Sequence, residues 1–343
     1  MRTTLKDIAE RVGVTKALVS LYLNNHPLSA KIAQSTKEKI DQAVRELNYR
    51  PSSMARALKS GRSRTFGLVI GDICSDYAGF LAQSLLNECA EHDYQLLIGI
   101  TRYNPEEERR CLENLIARQA DGIFFGMGVF PAEYLESAGL RDYPLLQLHS
   151  RHPAFNAILR KEGECLKTAV RHLRDSGCRS LVVSSGTEWS ETVRNASAAC
   201  GIDCSCVHLN YFSTAEDFNR IRDRRPDAVA LNSSTFASAL LASYAEGNVR
   251  ELPQLFYSYT LPCDLIASPC VAGVVTSDFK MFVQQAVKRM IEMQENPGVT
   301  ICQTEIPATF LTGEQMRQRA AEQLKDPFYA PFTMKMRYKQ REV

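Results

Sequence analysis

The sequence predicts an α/β protein with an all-α head: a small helical unit over residues 1–50, then a body of parallel sheets flanked by helices. Three observations predict it. Charge is unevenly distributed: residues 1–64 hold 13 Lys+Arg and 5 Asp+Glu, a net of +8, whereas the remainder of the 343 residues holds 28 and 34, a net of −6. Apolar residues in the first part recur at helical spacing, each run opened by a cap. From Thr65 onward, short apolar runs alternate with amphipathic helical segments, the pattern of parallel strands joined by crossover helices. The length suits two or three domains, and a hydrophobic content of 45% is enough for large cores.

Some function classes drop out. No run approaches the ~20 apolar residues of a bilayer span. The opening MRTTLKDIAERVGV is charged and amphipathic, not the apolar run of a signal peptide, so a soluble cytoplasmic protein is expected. Eleven cysteines, an odd and scattered number, do not read as a secreted disulfide framework. Gly126-Met127-Gly128 lacks the third glycine of a dinucleotide loop, and there is no phosphate loop, His-Glu-x-x-His or nucleophile elbow. Cys200, Cys204 and Cys206 lack zinc-site spacing and read as packing residues, with redox sensing as the alternative. No catalysis, cofactor or metal is therefore expected. The basic head points instead to a polyanion, most often nucleic acid.

In the head, Thr4-Leu5-Lys6-Asp7 reads as a capping box, and Leu5, Ile8, Ala9 and Val12 follow at helical spacing. Gly13 ends that helix. Thr15 caps a second one running to about Asn24, with Val19 and Leu23 facing inward. Ser35-Thr36-Lys37-Glu38 reads as another capping box, opening a third helix with Ile40, Ala43, Val44 and Leu47 on one stripe. Two short helices joined by a glycine turn, then a third, make a helix-turn-helix unit. Pro51 to Lys59 can form about two turns of helix, too short to be stable alone.

TLKDIAERVGVTKALVSLYLN, followed by RELNYRPSSMARALKSGRSRTFGLVI, resembles the head of LacI/GalR-family transcription regulators. The resemblance implies that the second helix enters the major groove, with Lys16, Ala17, Ser20 and Leu21 facing the bases and Thr15 and Asn24 near phosphate or base edges. Many relatives carry Arg where Leu21 stands. Arg grips guanine bidentately, whereas Leu can only pack on a thymine methyl, so an operator is not transferable. Residues 51–62 match the family's hinge helix and linker, with Ala55 and Leu58 at the positions that enter the minor groove. The long loop NNHPLSAKIAQS resembles the branch of fructose and sucrose repressors.

The body shows nine strand-like runs: FGLVIGDI, YQLLIGIT, GIFFGM, LLQLHS, LVVSSG, CVHLNYF, AVALN, LFYSYT and GVVTSD. Asn104-Pro105-Glu106-Glu107-Glu108 opens a helix with an Asn cap, Pro at its first position and acids in its first turn, and its apolar stripe is Cys111, Leu112, Leu115 and Ile116. So many units exceed one sheet, and they divide near Arg160. The resemblance implies a periplasmic-binding-protein type I body over residues 63–325, its two lobes joined by three crossovers, with a tail over 326–343. The basic, aromatic tail either docks on the body or stays disordered, and no heptad supports a coiled coil.

The resemblance puts an effector in the cleft between lobes, at the carboxyl ends of the strands. Where many relatives have sugar-binding Asp–Arg and Asn–Asp pairs, this chain has His149-Ser150, with Arg151 one step late, and Asn232-Ser233. Ser258 replaces another family Asp. The segment carrying the family's sugar-binding Arg is shortened, leaving Trp189 and Arg194 nearby. The candidate effector residues are thus Asp72, Ser75, Tyr77, Arg102, Arg151, Trp189, Arg194, Ser233 and Ser258. Scarce carboxylates and nearby arginines favour an anionic effector such as a phosphorylated sugar. The expected partners are a roughly palindromic double-stranded DNA operator, the effector, and a second copy of the chain in a homodimer or tetramer. The expected function is a sequence-specific DNA-binding transcriptional regulator, a repressor, whose operator affinity is controlled by the effector in the cleft. The alternatives are a regulator governed by a protein partner and a cytoplasmic ligand-binding module.

Overall fold

The computed structural model describes residues 3–24, 26–49, 61–126, 132–137, 139–140, 143–149, 151–184, 188–210, 212–258, 268–296, 298–323 and 325–329. It divides into two units, Met1–Ser63 and Arg64–Val343. Ala55 and Leu58, with the rest of the expected hinge helix, lie outside the described residues, as do Ser150 and the tail beyond residue 329.

The head is built by local signals. Helix α1 spans Leu5–Val12. The Thr4 backbone N–H and hydroxyl both donate to Asp7 Oδ2, at 2.7 and 2.9 Å. Gly13 takes φ +76°, a left-handed conformation that costs glycine little, and its N–H donates to Ala9 at 2.9 Å. Helix α2 spans Lys16–Leu23, and the Thr15 hydroxyl accepts from the Leu18 N–H. A single 3-10 turn over Pro27–Lys31 leads toward α3, Gln34–Glu46. This third helix starts earlier than the Ser35 capping box predicts. The Ala33 carbonyl accepts from Thr36 and Lys37, so the backbone closes the first turn before Ser35 can act as cap. Ile8, Ala9, Val19, Ile40 and Ala43 form the buried core, with Leu23, Val44 and Leu47 packed at its rim.

The body contains eleven strands among the described residues, ordered β2-β1-β3-β4-β5-β11-β10-β9-β8-β6-β7. Their ranges are β1 Thr65–Ile70, β2 Gln95–Ile100, β3 Gly122–Gly126, β4 Leu145–Leu148, β5 Asn156–Lys161, β6 Ser180–Ser184, β7 Asp203–Val207, β8 Ala228–Leu231, β9 Gln254–Ser258, β10 Val271–Ser277 and β11 Gln303–Thr312. Strands β5 and β11 escape the sequence reading, because NAILRK ends in charge and QTEIPATFLT carries a proline and polar residues.

Strand β11 joins two lobes. Its first half pairs parallel with β5 from Gln303 to Pro307, and its second half pairs antiparallel with β10 from Ala308 to Thr312. Lobe 1 holds β1–β5 with helices α4 (Asp76–Glu91), α5 (Pro105–Ala117) and α6 (Ala132–Ser137). Asn104 caps α5 through the N–H groups of Glu106 and Glu107, and Leu112 and Leu115 are buried, as the stripe predicts. Lobe 2 holds β6–β10 with α7 (Gly163–Asp175), α8 (Glu188–Ala199), α9 (Ala215–Asp223) and α10 (Ser234–Glu246). After β10, helix α11 (Phe279–Glu295) returns to lobe 1, where Phe282, Val283 and Met290 are buried beside Phe66 and Leu68. Helix α12 (Gly313–Gln323) then packs Met316 and Ala320 into lobe 2. The chain therefore crosses near residue 162, near residue 278 and within β11. This is the two-lobed periplasmic-binding-protein-like architecture that the resemblance implies.

Candidate functional sites

On α2, the first turn is presented to solvent: Thr15, Lys16 and Ala17 are exposed, while Ser20 and Leu21 are half-buried. Val19, about 200° around the helix from Ala17 and Leu21, is fully buried, which fixes the helix's rotation on the head. Asn24 is exposed, and its side-chain amide donates to the Ser20 carbonyl at 2.7 Å and lies 3.2 Å from the Ser20 hydroxyl. These two residues close the end of α2 before any other contact is made. The Tyr22 hydroxyl donates to Asp41 at 2.8 Å, and Arg11 pairs with Glu46 at 2.9 Å, tying α1 and α2 to α3. These contacts hold the helix on the head with Lys16, Ala17, Ser20 and Leu21 accessible.

In the body, a cavity of about 280 Å³ lies between the lobes. It is lined by His149 and Arg151 after β4, Leu159 and Arg160 at the end of β5, Glu162 and Gly163 opening α7, Glu188, Trp189 and Thr192 on α8, and Asn232 after β8. Carboxyl ends of strands from both lobes thus meet at one place. Arg160 and Glu162 form an ion pair there, with both side chains nearly buried. Arg151 pairs with Glu305 at 3.0 Å. The Asn232 side-chain oxygen is buried without a hydrogen-bond partner among the described residues. Trp189 stands half-buried, donates to the Ser258 hydroxyl at 2.8 Å and stacks on Phe256 at 5.9 Å.

His149 stacks on Phe282, with ring centroids 4.3 Å apart and planes 3° apart, and its Nε2 meets the Tyr77 hydroxyl. Burial, reinforced by the neighbouring Arg160 charge, holds this imidazole well below its ordinary pKa, so it is neutral. Asp72 accepts from the N–H groups of Cys74 and Ser75 and from the Tyr103 hydroxyl. Burial raises its pKa, but these hydrogen bonds outweigh it and keep the carboxyl below its usual value. Gly71 makes room for that contact, since a Cβ there would sit 2.2 Å from the Tyr103 ring.

The nine sequence-derived effector candidates therefore scatter. Arg151 and Trp189 line the cavity, Ser258 holds Trp189, and Tyr77 holds His149. Ser75 and Ser233 cap α4 and α10, and Asp72 organises the turn before α4. Arg102 and Arg194 are exposed and do not line the cavity. Arg194 is carried on α8, turned away from the Trp189 and Thr192 face that lines it. Arg160, Glu162, Glu188 and Thr192 were not foreseen. The available signal was an Arg inside an apolar strand followed by Lys-Glu-Gly.

No helix among the described residues is long and apolar enough to cross a membrane. Residues 4–52 match the family model described as bacterial regulatory proteins, lacI family. The chain is 43% identical to the sucrose operon repressor of Klebsiella pneumoniae over 122 residues, 36% of each chain. It is 29% identical over 187 residues to the HTH-type transcriptional regulator PtxS of Pseudomonas putida, 54% of each chain. These matches span between about a third and about half of each relative's length. The crystal structure of the lac repressor dimer bound to operator and the anti-inducer ONPF superposes with a TM-score of 0.77 at 17% identity, covering 92% of this chain and 99% of that one.

Proposed function

We propose that the chain is a sequence-specific transcriptional regulator whose operator affinity answers to a small molecule held between its lobes, with residues 4–52, which match the lacI-family model, as its DNA-binding head. The observation that carries this reading is one chain bearing both an exposed, seated α2 and a polar cavity at the meeting of two lobes. Lys16, Ala17, Ser20 and Leu21 are the base-facing set, with Thr15 and Asn24 at its edges. Ala55 and Leu58 keep their minor-groove role in this proposal. A homodimer fits the apolar surface of lobe 1, where edge strand β2 exposes Leu97 and Ile98 and α4 exposes Leu86. Cytoplasmic action as a repressor follows from the same reading.

The cavity lining shifts the expected effector from an anion to a neutral polyol such as a free sugar. Arg151 and Arg160 are both matched by carboxylates, and Arg102 and Arg194 do not line the space. Glu162, Glu188 and Asn232 supply acceptors for hydroxyl groups, and Trp189 offers an apolar face to a sugar ring. The carboxylates missing at Ser233 and Ser258 are thus provided from other elements. Trp189 is the only tryptophan, so its fluorescence reports on the cavity directly. Titrating the full chain with sucrose, fructose and fructose 1-phosphate tests the reading, with calorimetry alongside. Binding of a free sugar that lowers operator affinity supports it. Response to the phosphate alone would restore the anionic effector, and no binding at all would favour control by a protein partner.

A further inference from the structure

The chain crosses between the lobes once more after the three crossings above. Helix α12 belongs to lobe 2, yet Phe328, a few residues beyond it, packs on the core of lobe 1. Its ring meets Phe80 edge-on at 5.5 Å and Phe279 at 6.4 Å. Lys280 Nζ lies 6.0 Å from the centre of that ring and 4.0 Å from Asp326 Oδ2. The other Asp326 oxygen accepts from the Phe328 N–H at 2.9 Å, which fixes the turn that presents the ring. Between the start of α11 and α12 lies an open polar space of about 540 Å³, lined by Asp278 and Lys280 from one lobe and Gln315, Arg319 and Glu322 from the other. The segment therefore spans a gap between lobes instead of capping a packed interface.

We infer that residues 325–329 form a latch, a fourth tie that limits how far the lobes rotate about their three crossings. Among the described residues its seat includes a half-buried aromatic ring and an exposed ion pair, contacts of a kind that can be released and remade. Its anchor belongs to a cluster that reaches the cavity. Phe279 lies 5.9 Å from Phe282, which stacks on His149 at the cavity wall, and Tyr77 touches both Phe279 and His149. A molecule displacing His149 bears on the rings that seat Phe328. That regulatory consequence rests on the cavity being the effector site; the tie itself does not.

Hydrogen exchange on the full-length chain tests the latch. Phe328→Ala and Lys280→Glu should each speed exchange about threefold or more at the crossings, residues 161–163, 277–279 and 306–309, while β1, β3 and β8 keep their protection. Lys280→Arg, which keeps a positive charge beside Asp326 and over the Phe328 ring, should leave exchange slow. Unchanged crossings in both Phe328→Ala and Lys280→Glu would overturn the latch. Should Phe328→Ala lose protection everywhere, the charge at Lys280 decides: loosening by Lys280→Glu but not by Lys280→Arg supports the tie, and its absence sinks it. Loosened crossings with unchanged effector control of operator affinity would uphold the latch and count against the effector reading of the cavity.

Discussion

Lys16 is the residue on which base reading turns. It is exposed in the first turn of α2, the region that reaches base edges when such a helix enters the major groove. Lys16→Ala should weaken operator binding by about 1–3 kcal/mol and relax preference at one base position, measured by binding to a panel of single-base operator variants. An equal loss on every variant would make Lys16 a phosphate contact. In the body, Glu162→Gln removes a charged partner of a nearly buried guanidinium, so it should cost about 3 kcal/mol in chemical denaturation. His149 gives a pH dependence of defined sign. Its folded pKa lies well below the 6.5 of an ordinary imidazole. Below 6.5 the unfolded chain binds a proton that the native chain refuses, so the stability from neutral His149 is complete above that value and is lost as pH falls beneath it. Denaturation midpoints should decline between about pH 7 and about pH 5, at up to about 1.4 kcal/mol per pH unit from this group, and His149→Gln should flatten that decline.

Elements were legible where their signals are local. Gly13 illustrates this: a glycine between two helical stripes implies a left-handed turn, and it has φ +76°. Nothing lies within 4 Å of a Cβ built there, so Gly13→Ala meets backbone strain alone. It should cost about 1–2 kcal/mol, seen as roughly tenfold lower exchange protection in α1 and α2 with the body unchanged. The caps at Thr4, Thr15 and Asn104 are legible for the same reason. The start of α3 was not, because Ala33 closes the turn with its backbone and no side chain advertises it. Strand β11 was hidden because its two halves serve different sheets, so neither shows the sustained apolar run of a buried strand. The cavity was legible only in part. Trp189 and Ser258 stand at positions the family resemblance marks, and they do meet. Arg160 and Glu162 are two apart in sequence but straddle a strand end and a helix start, and only the fold reveals that their pairing faces the cavity.

At the scale of the molecule, the charge division separates two tasks. The net of +8 on residues 1–64 attracts DNA, while the net of −6 on the remainder repels it. A body of that sign gives little non-specific adhesion of its own, so binding depends on the heads. In a dimer two heads act together, and every phosphate they neutralise releases counterions. Operator affinity should therefore fall steeply with salt, by about a hundredfold or more between roughly 50 and 200 mM. Arg11 and Glu46 pair with each other on the head and should contribute little to this slope. Lys16→Ala, by contrast, should make the slope of the dimer shallower by about two units, one per head, if it meets a phosphate and leave it nearly unchanged if it reads a base, because base contacts displace few condensed ions. Apolar pairing through Leu86, Leu97 and Ile98 should respond in the opposite direction, holding or tightening as salt rises. Sedimentation of the full chain at low and high salt, run beside the DNA titration, separates the two effects. Loss of the dimer at high salt would place its contacts among charged groups and would leave those three exposed residues without the role assigned to them.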